Sequence, residues 1–280
     1  MALVLAGCSA LLYGIADFAG GYAASKSRLL SVLILSQLVG TVVALVALML
    51  LGSTGPTVRD LLWGFLAGFS GSMGLFMLYG GIARSIVAIV SPTSALIGAL
   101  IPVLFALVSG ERPSPSAITG SLICLPAILL LSWEGKGAES PKGTVRSALL
   151  YGILAGLGFG IFFVTLSRSN PGAGVWPLLG ARVASIASFT LALLASRHSF
   201  RVERGGLVPS MVAGAADMGA NILFLLASQS GMLSLVAIIT SLFPAPTVVL
   251  ARFVFQQRIP PARMAGLVLA LAGVALISLR

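Results

Sequence analysis

The chain has 280 residues, of which 58% are hydrophobic and only 9% charged, and its mean hydropathy is +1.08. Soluble chains carry about 25% charged residues, so this composition excludes a soluble enzyme, a disordered tail and a DNA-binding domain. The 17 Lys and Arg outnumber the 7 Asp and Glu, for a net +10; with no basic stripe on a polar element, the excess reads as cationic loops that orient membrane helices, not as a nucleic-acid surface.

A membrane span needs about 20 mostly apolar residues. Apolar runs and their breaks predict ten helices, at 2–23, 29–52, 60–82, 85–108, 115–133, 147–168, 176–196, 206–227, 232–254 and 262–279. The connections left over are short, so function must lie among the helices. The first run, from Met1, lacks a positive n-region and contains Asp17, which argues against a cleaved signal. Between the runs, Ser25-Lys26-Ser27-Arg28 is polar and Gly52 to Pro56 is a loop signature. Glu111 to Pro115 joins charge to proline, and Glu134 to Arg146 is the longest polar stretch. Asn170-Pro171-Gly172 reads as a turn, and Arg258 to Pro261 closes the ninth helix. Cys8 and Cys124 are too far apart for a metal or redox motif, and His198 is the single histidine. Neither a zinc site, nor a Ser-His-Asp triad, nor a cofactor is expected.

The chain repeats itself. Ser9 to Ile15 recurs as Ser147 to Ile153, an offset of 138, and further on the offset is 146, pairing Ala67-Gly68 with Ala213-Gly214, Val90 with Val236 and Gly120 with Gly266. The expected units are therefore 1–133 and 147–280, five helices each, joined by a linker at 134–146. Five is odd, so the second unit enters the membrane from the opposite side. That is an inverted-topology repeat, an architecture of secondary transporters with the substrate site near the midplane. The fold class expected is thus all-α, ten transmembrane helices in two inverted five-helix repeats.

Ile89-Val90-Ser91-Pro92 to Leu104, then Gly110-Glu111-Arg112 and Gly120, together with Leu235-Val236-Ala237 to Arg258 and Gly266 to Ile277, resemble the ends of the two repeats of the EamA-type family of the drug/metabolite transporter superfamily. The family pattern carries Glu before Arg in both halves, and here the second half has Gln257-Arg258. The resemblance implies a carrier in the inner membrane of a bacterium with both termini inside. The charge count runs against that last point. Loops 1–2, 3–4, 5–6, 7–8 and 9–10 hold most of the Lys and Arg, among them Lys26, Arg84, Arg146, Arg201 and Arg263, which by the positive-inside rule puts the termini outside.

Charges inside membrane helices are costly and face a bundle interior or cavity. Asp17 in helix 1, Asp217 in helix 8 and Arg182 in helix 7 are the candidates for a substrate or proton pathway; Asp217 and Arg182 also have the signs to pair. Asn221 is one turn from Asp217, and Tyr13 one turn from Asp17. A carboxylate beside an amide or phenol suits an ammonium or amino-acid group. Tyr79, Tyr151 and Trp176 are candidate cavity walls, with Trp63 and Trp133 as interfacial anchors. Pro92 and Pro102 in helix 4, and Pro244 and Pro246 in helix 9, mark helix breaks at corresponding places in the two halves, another pointer to a transport site. Glycines in helices 3 and 6 suit close packing.

The sequence thus predicts a secondary transporter that moves small metabolites, amino acids or related compounds, most simply as an exporter, by alternating access with protons as coupling ion. An uncoupled facilitator, or a carrier of sugars or nucleotide sugars, is the alternative. The partners expected are a small-molecule substrate, the lipid bilayer and, through Gly266 to Leu279, a second copy in a homodimer. No enzymatic activity is expected, for no nucleophile–base pair stands out.

Overall fold

The computed structural model describes residues 1–53, 55–132, 144–197, 199–255 and 260–279. The linker expected at 134–146 lies mostly outside them, as do Trp133, His198 and Gln257-Arg258. The described residues form α1 (Ala2–Lys26), α2 (Leu29–Leu51), α3 (Val58–Arg84), α4 (Val87–Val108), α5 (Pro115–Ser132), α6 (Val145–Ser167), α7 (Trp176–Ala195), α8 (Arg204–Ser230), α9 (Leu233–Thr240), α10 (Pro244–Phe255) and α11 (Pro261–Ser278). Ten spans are long and apolar enough to cross a bilayer, with α9 and α10 as the two parts of the ninth. Among the described residues there is no strand. In hydrocarbon a helix satisfies its own backbone, which is why such runs become helices and nothing else. Large apolar side chains such as Val42, Met49, Leu122, Leu191 and Leu271 stay exposed on the outside of the bundle. On a soluble protein they would form a sticky belt; here they are the surface that meets lipid.

The main helix contacts exchange with one another when the halves are swapped. The contact of α1 with α8 has its counterpart in α6 with α3, and α3 with α7 has its counterpart in α8 with α2. Likewise α4 with α6 corresponds to the ninth span with α1, while α2 with α7 and α5 with α11 map onto themselves. Small residues make the closest of these approaches. A Cβ on Gly68 of α3 would fall on the backbone of Ala181 in α7, and one on Gly214 of α8 would fall on the backbone of Ser36 in α2. Gly68 and Gly214 are the pair aligned by the 146-residue offset. No side chain larger than hydrogen fits at either without separating the helices.

The ninth span departs from the single helix expected over 232–254. It is helical to Thr240, turns through Ser241–Phe243 and resumes at Pro244. Pro244 and Pro246 have no N–H to offer, so the carbonyls of Thr240 and Leu242 lose their usual partners four residues on. Tighter bonds replace them: Phe243 N–H donates to Thr240 O at 3.2 Å and Ala245 N–H to Leu242 O at 2.9 Å. The bend is braced by α1, where Gly14 lets Pro246 and Phe243 approach and its carbonyl accepts the Thr247 hydroxyl at 3.1 Å. Pro92 and Pro102 do not act in this way. α4 runs unbroken through both, because they stand ten residues apart and each frees one carbonyl only, a loss a membrane helix tolerates. The symmetric pair of helix breaks expected from the prolines is therefore one break, in the second half.

Candidate substrate cavity

A cavity of about 530 Å³ lies between the halves, within the range that holds a drug-sized ligand. Its lining runs from Phe163, Leu178 and Asn221 to Gly21, Tyr79, Ser132, Ala251 and Arg263. The latter group sits near the ends of α1, α3 and α5 and near the start of α11. The cavity therefore reaches the end of the bundle that carries loops 1–2, 3–4, 5–6, 7–8 and 9–10.

The polar floor is built from four helices. Arg182 of α7 is buried, and its Nη2 meets Asp217 Oδ2 of α8 at 2.6 Å. Its Nη1 donates to Gln37 Oε1 of α2, which also accepts the Ser185 hydroxyl at 3.1 Å. Gly40, one turn along α2 from Gln37, leaves room for the guanidinium: a Cβ there would sit 3.2 Å from Arg182 Nε. Asn221 Nδ2 donates to Asp217 Oδ2 at 3.1 Å and to its carbonyl at 2.7 Å, while Asn221 Oδ1 accepts the Tyr13 hydroxyl of α1 at 2.9 Å. One chain of hydrogen bonds thus links Tyr13, Asn221, Asp217, Arg182, Gln37 and Ser185. Below it the Tyr13 ring meets Phe163 edge-on at 6.2 Å and Phe243 at 6.3 Å, and Phe163 rests on Phe224 at 4.5 Å. These rings close the floor.

Asp17 stands one turn beyond Tyr13 on α1, exposed on the cavity wall. Among the described residues it makes no hydrogen bond and no ion pair. Tyr79 of α3 and Asp217 lie within its electrostatic reach.

Beyond the floor, the opposite face is tied by two carboxylates. Glu111, in the loop after α4, accepts from the N–H groups of Leu233 and Ser234 at 2.7 and 3.1 Å and from the Ser234 hydroxyl at 2.6 Å. It satisfies the free N–H groups at the start of α9, with its charge at the positive end of the helix. Asp60 forms a capping box with Thr57 at the start of α3, and its second oxygen accepts Asn170 N–H of the second half at 2.8 Å. On the same face the Trp176 indole donates to the Ser53 hydroxyl at 3.2 Å.

Of the residues singled out from sequence, Asp17, Asp217, Arg182, Asn221, Tyr13, Tyr79 and Pro244 line the cavity. Tyr151 and Trp176 do not: Tyr151 packs on Gly81 at the far end of α3, and Trp176 belongs to the tied face. Pro92, Pro102 and Pro246 also stand off its wall. Sequence reading passed over Gln37, Ser185, Glu111 and Asp60 as site or seal residues. Gln37 left a signal, a lone amide inside an apolar run, and Thr57-Val58-Arg59-Asp60 has the spacing of a capping box. Nothing local points from Glu111 to α9, which is 122 residues away.

Ten apolar spans surrounding a cavity with a charged, hydrogen-bonded floor define an integral membrane protein. Residues 145–279 match the EamA-like transporter family. That match, over just under half of the chain, places this segment in the drug/metabolite transporter superfamily and points to a membrane transporter of small molecules. No curated protein matches it in sequence. A solved structure titled only as the crystal structure of a protein superposes with a TM-score of 0.80 over 99% of this chain and 96% of that one, at 17% identity. At that identity the likeness shows the shared ten-helix fold alone.

Proposed function

We propose that the chain is a secondary transporter that exports small metabolites, amino acids or related amphipathic compounds, from a bacterial cell by alternating access, with protons as the coupling ion. The observation that carries this reading is the cavity. It reaches one face from a polar floor at mid-membrane, while the other face is held by Glu111, Asp60 and the aromatic layer under Tyr13. A carrier caught open to one side has this form. The exchange of helix contacts between residues 1–133 and 147–280 supports an inverted repeat, since swapping the halves would turn the present open face into the closed one. Gly68 and Gly214 supply seams smooth enough for one bundle to rock on the other.

The test is amino-acid counterflow and net flux in proteoliposomes, with and without a pH gradient. Accumulation driven by the gradient is expected. Flux that only equilibrates would replace the coupled carrier by a facilitator, and absence of flux for every solute tried would remove the transport reading.

A further inference from the structure

The floor offers two carboxylates and one guanidinium, and they are unequally engaged. Arg182 spends Nη1 on Gln37 and Nη2 on Asp217, and its Nε is buried against α2 with no acceptor among the described residues. A carboxylate on a solute would have to displace Asp217 or Gln37 to reach that cation. The other cation on the wall, Arg263, is in the first turn of α11 at the mouth, and it too is engaged in a contact of its own. Asp17 has no such engagement among the described residues and faces the cavity. Among the described residues the cavity therefore presents one uncompensated carboxylate and no uncompensated cation.

We propose that Asp17 is the binding group for a protonated amine, and that this cavity selects its solutes by an ammonium group attached to an apolar or aromatic body, with no requirement for a carboxylate. This rests on the transporter reading only for the amine being cargo. The chemistry favours it on three counts. A charge inside a membrane bundle is costly unless paired, and an ammonium supplies the missing partner with donors for both carboxylate oxygens. The walls of the same cavity carry Tyr13, Tyr79, Phe159, Phe162 and Phe243, aromatic rings whose faces attract a cation and whose area suits an aryl body. Asp217 cannot do the same work without giving up the guanidinium that it neutralises.

The test is calorimetric titration of the full chain in detergent with three probes that share a phenylethyl body: phenethylamine, phenylalanine and 3-phenylpropionate. Phenethylamine should bind at least as tightly as phenylalanine, and 3-phenylpropionate at least about tenfold more weakly. Asp17→Asn should weaken phenethylamine by about tenfold or more at an unchanged melting temperature, and Asp17→Glu should restore part of the loss. Equal binding of the acid and the amine, undiminished amine binding by Asp17→Asn, or no binding of any probe would overturn the proposal. Counterflow separates it from the transport reading. Phenylalanine counterflow by Asp17→Asn at the wild-type rate would overturn the role of Asp17 and leave the carrier standing. Amine binding through Asp17 without counterflow of any probe would leave the subsite standing and remove the carrier.

Discussion

Asp17 and Asp217 are the same residue at similar depth in one cavity, and the structure gives them opposite circumstances. Asp217 is gripped by Arg182 and Asn221, with its side chain about a third exposed at 34% and that of Arg182 at 9%. Asp17, on the adjoining helix α1, touches no donor among the described residues and is open to the cavity. The difference teaches that residue type and depth do not decide what an intramembrane acid does. What the neighbouring helix offers decides it. α8 faces the guanidinium of α7, whereas α1 at the level of Asp17 faces Tyr79 and the cavity.

The widest separation of the two should come from deleting the acid itself. Asp217→Leu strands Arg182, which cannot deprotonate, as a buried charge. A loss of about 3 kcal/mol is expected, read as a fall in the melting temperature of the detergent-solubilised chain. A variant as stable as the wild type would mean that Arg182 finds another partner and that the pair is not structural. The double variant Arg182→Met, Asp217→Leu sharpens the point. Removing both charges together should recover stability to within about 1 kcal/mol of the wild type, since the desolvation cost leaves with the attraction. A double variant as unstable as the single one would show that the network, through Gln37 and Asn221, matters more than the pair.

Much of this contrast was legible in the sequence, and the missing part has a physical reason. The ten spans follow from hydropathy because nothing but a helix satisfies a backbone in lipid. The intramembrane charges announce themselves by their cost, and Asn221 follows from Asp217 by helical spacing. The partners across helices do not follow. Gln37 reaches Arg182 over 145 positions, and Tyr13, one turn from Asp17, spends its hydroxyl on Asn221 of α8 instead. These helices are apolar on all sides, so no hydrophobic face tells which flank looks inward. That is why Tyr79 is found on the cavity wall while Tyr151 and Trp176 are not. The prolines show the same limit: two of them two residues apart break the ninth span, whereas two set ten residues apart leave α4 whole.

A smaller effect should come from the link between α1 and the paired acid. Tyr13→Phe keeps the ring contacts with Phe163 and Phe243 and removes only the donor to Asn221 Oδ1. The expected cost is about 1 kcal/mol, seen as a modest melting shift. A shift as large as that of Asp217→Leu would make Tyr13 part of the charge network and not its edge.

The smallest change in stability should be at Asp17 itself. Asp17→Asn removes a charge that no group among the described residues neutralises and leaves an amide of the same shape facing the cavity, so stability should stay within about 0.5 kcal/mol of the wild type. Transport should fall even so, because the group lost is one that a solute or a proton would use. This pairing of an unmoved melting temperature with a lost flux is the reverse of what the Arg182, Asp217 double variant tests. A large destabilisation by Asp17→Asn would place Asp17 beside Asp217 as a structural acid, and the contrast between the two would be gone.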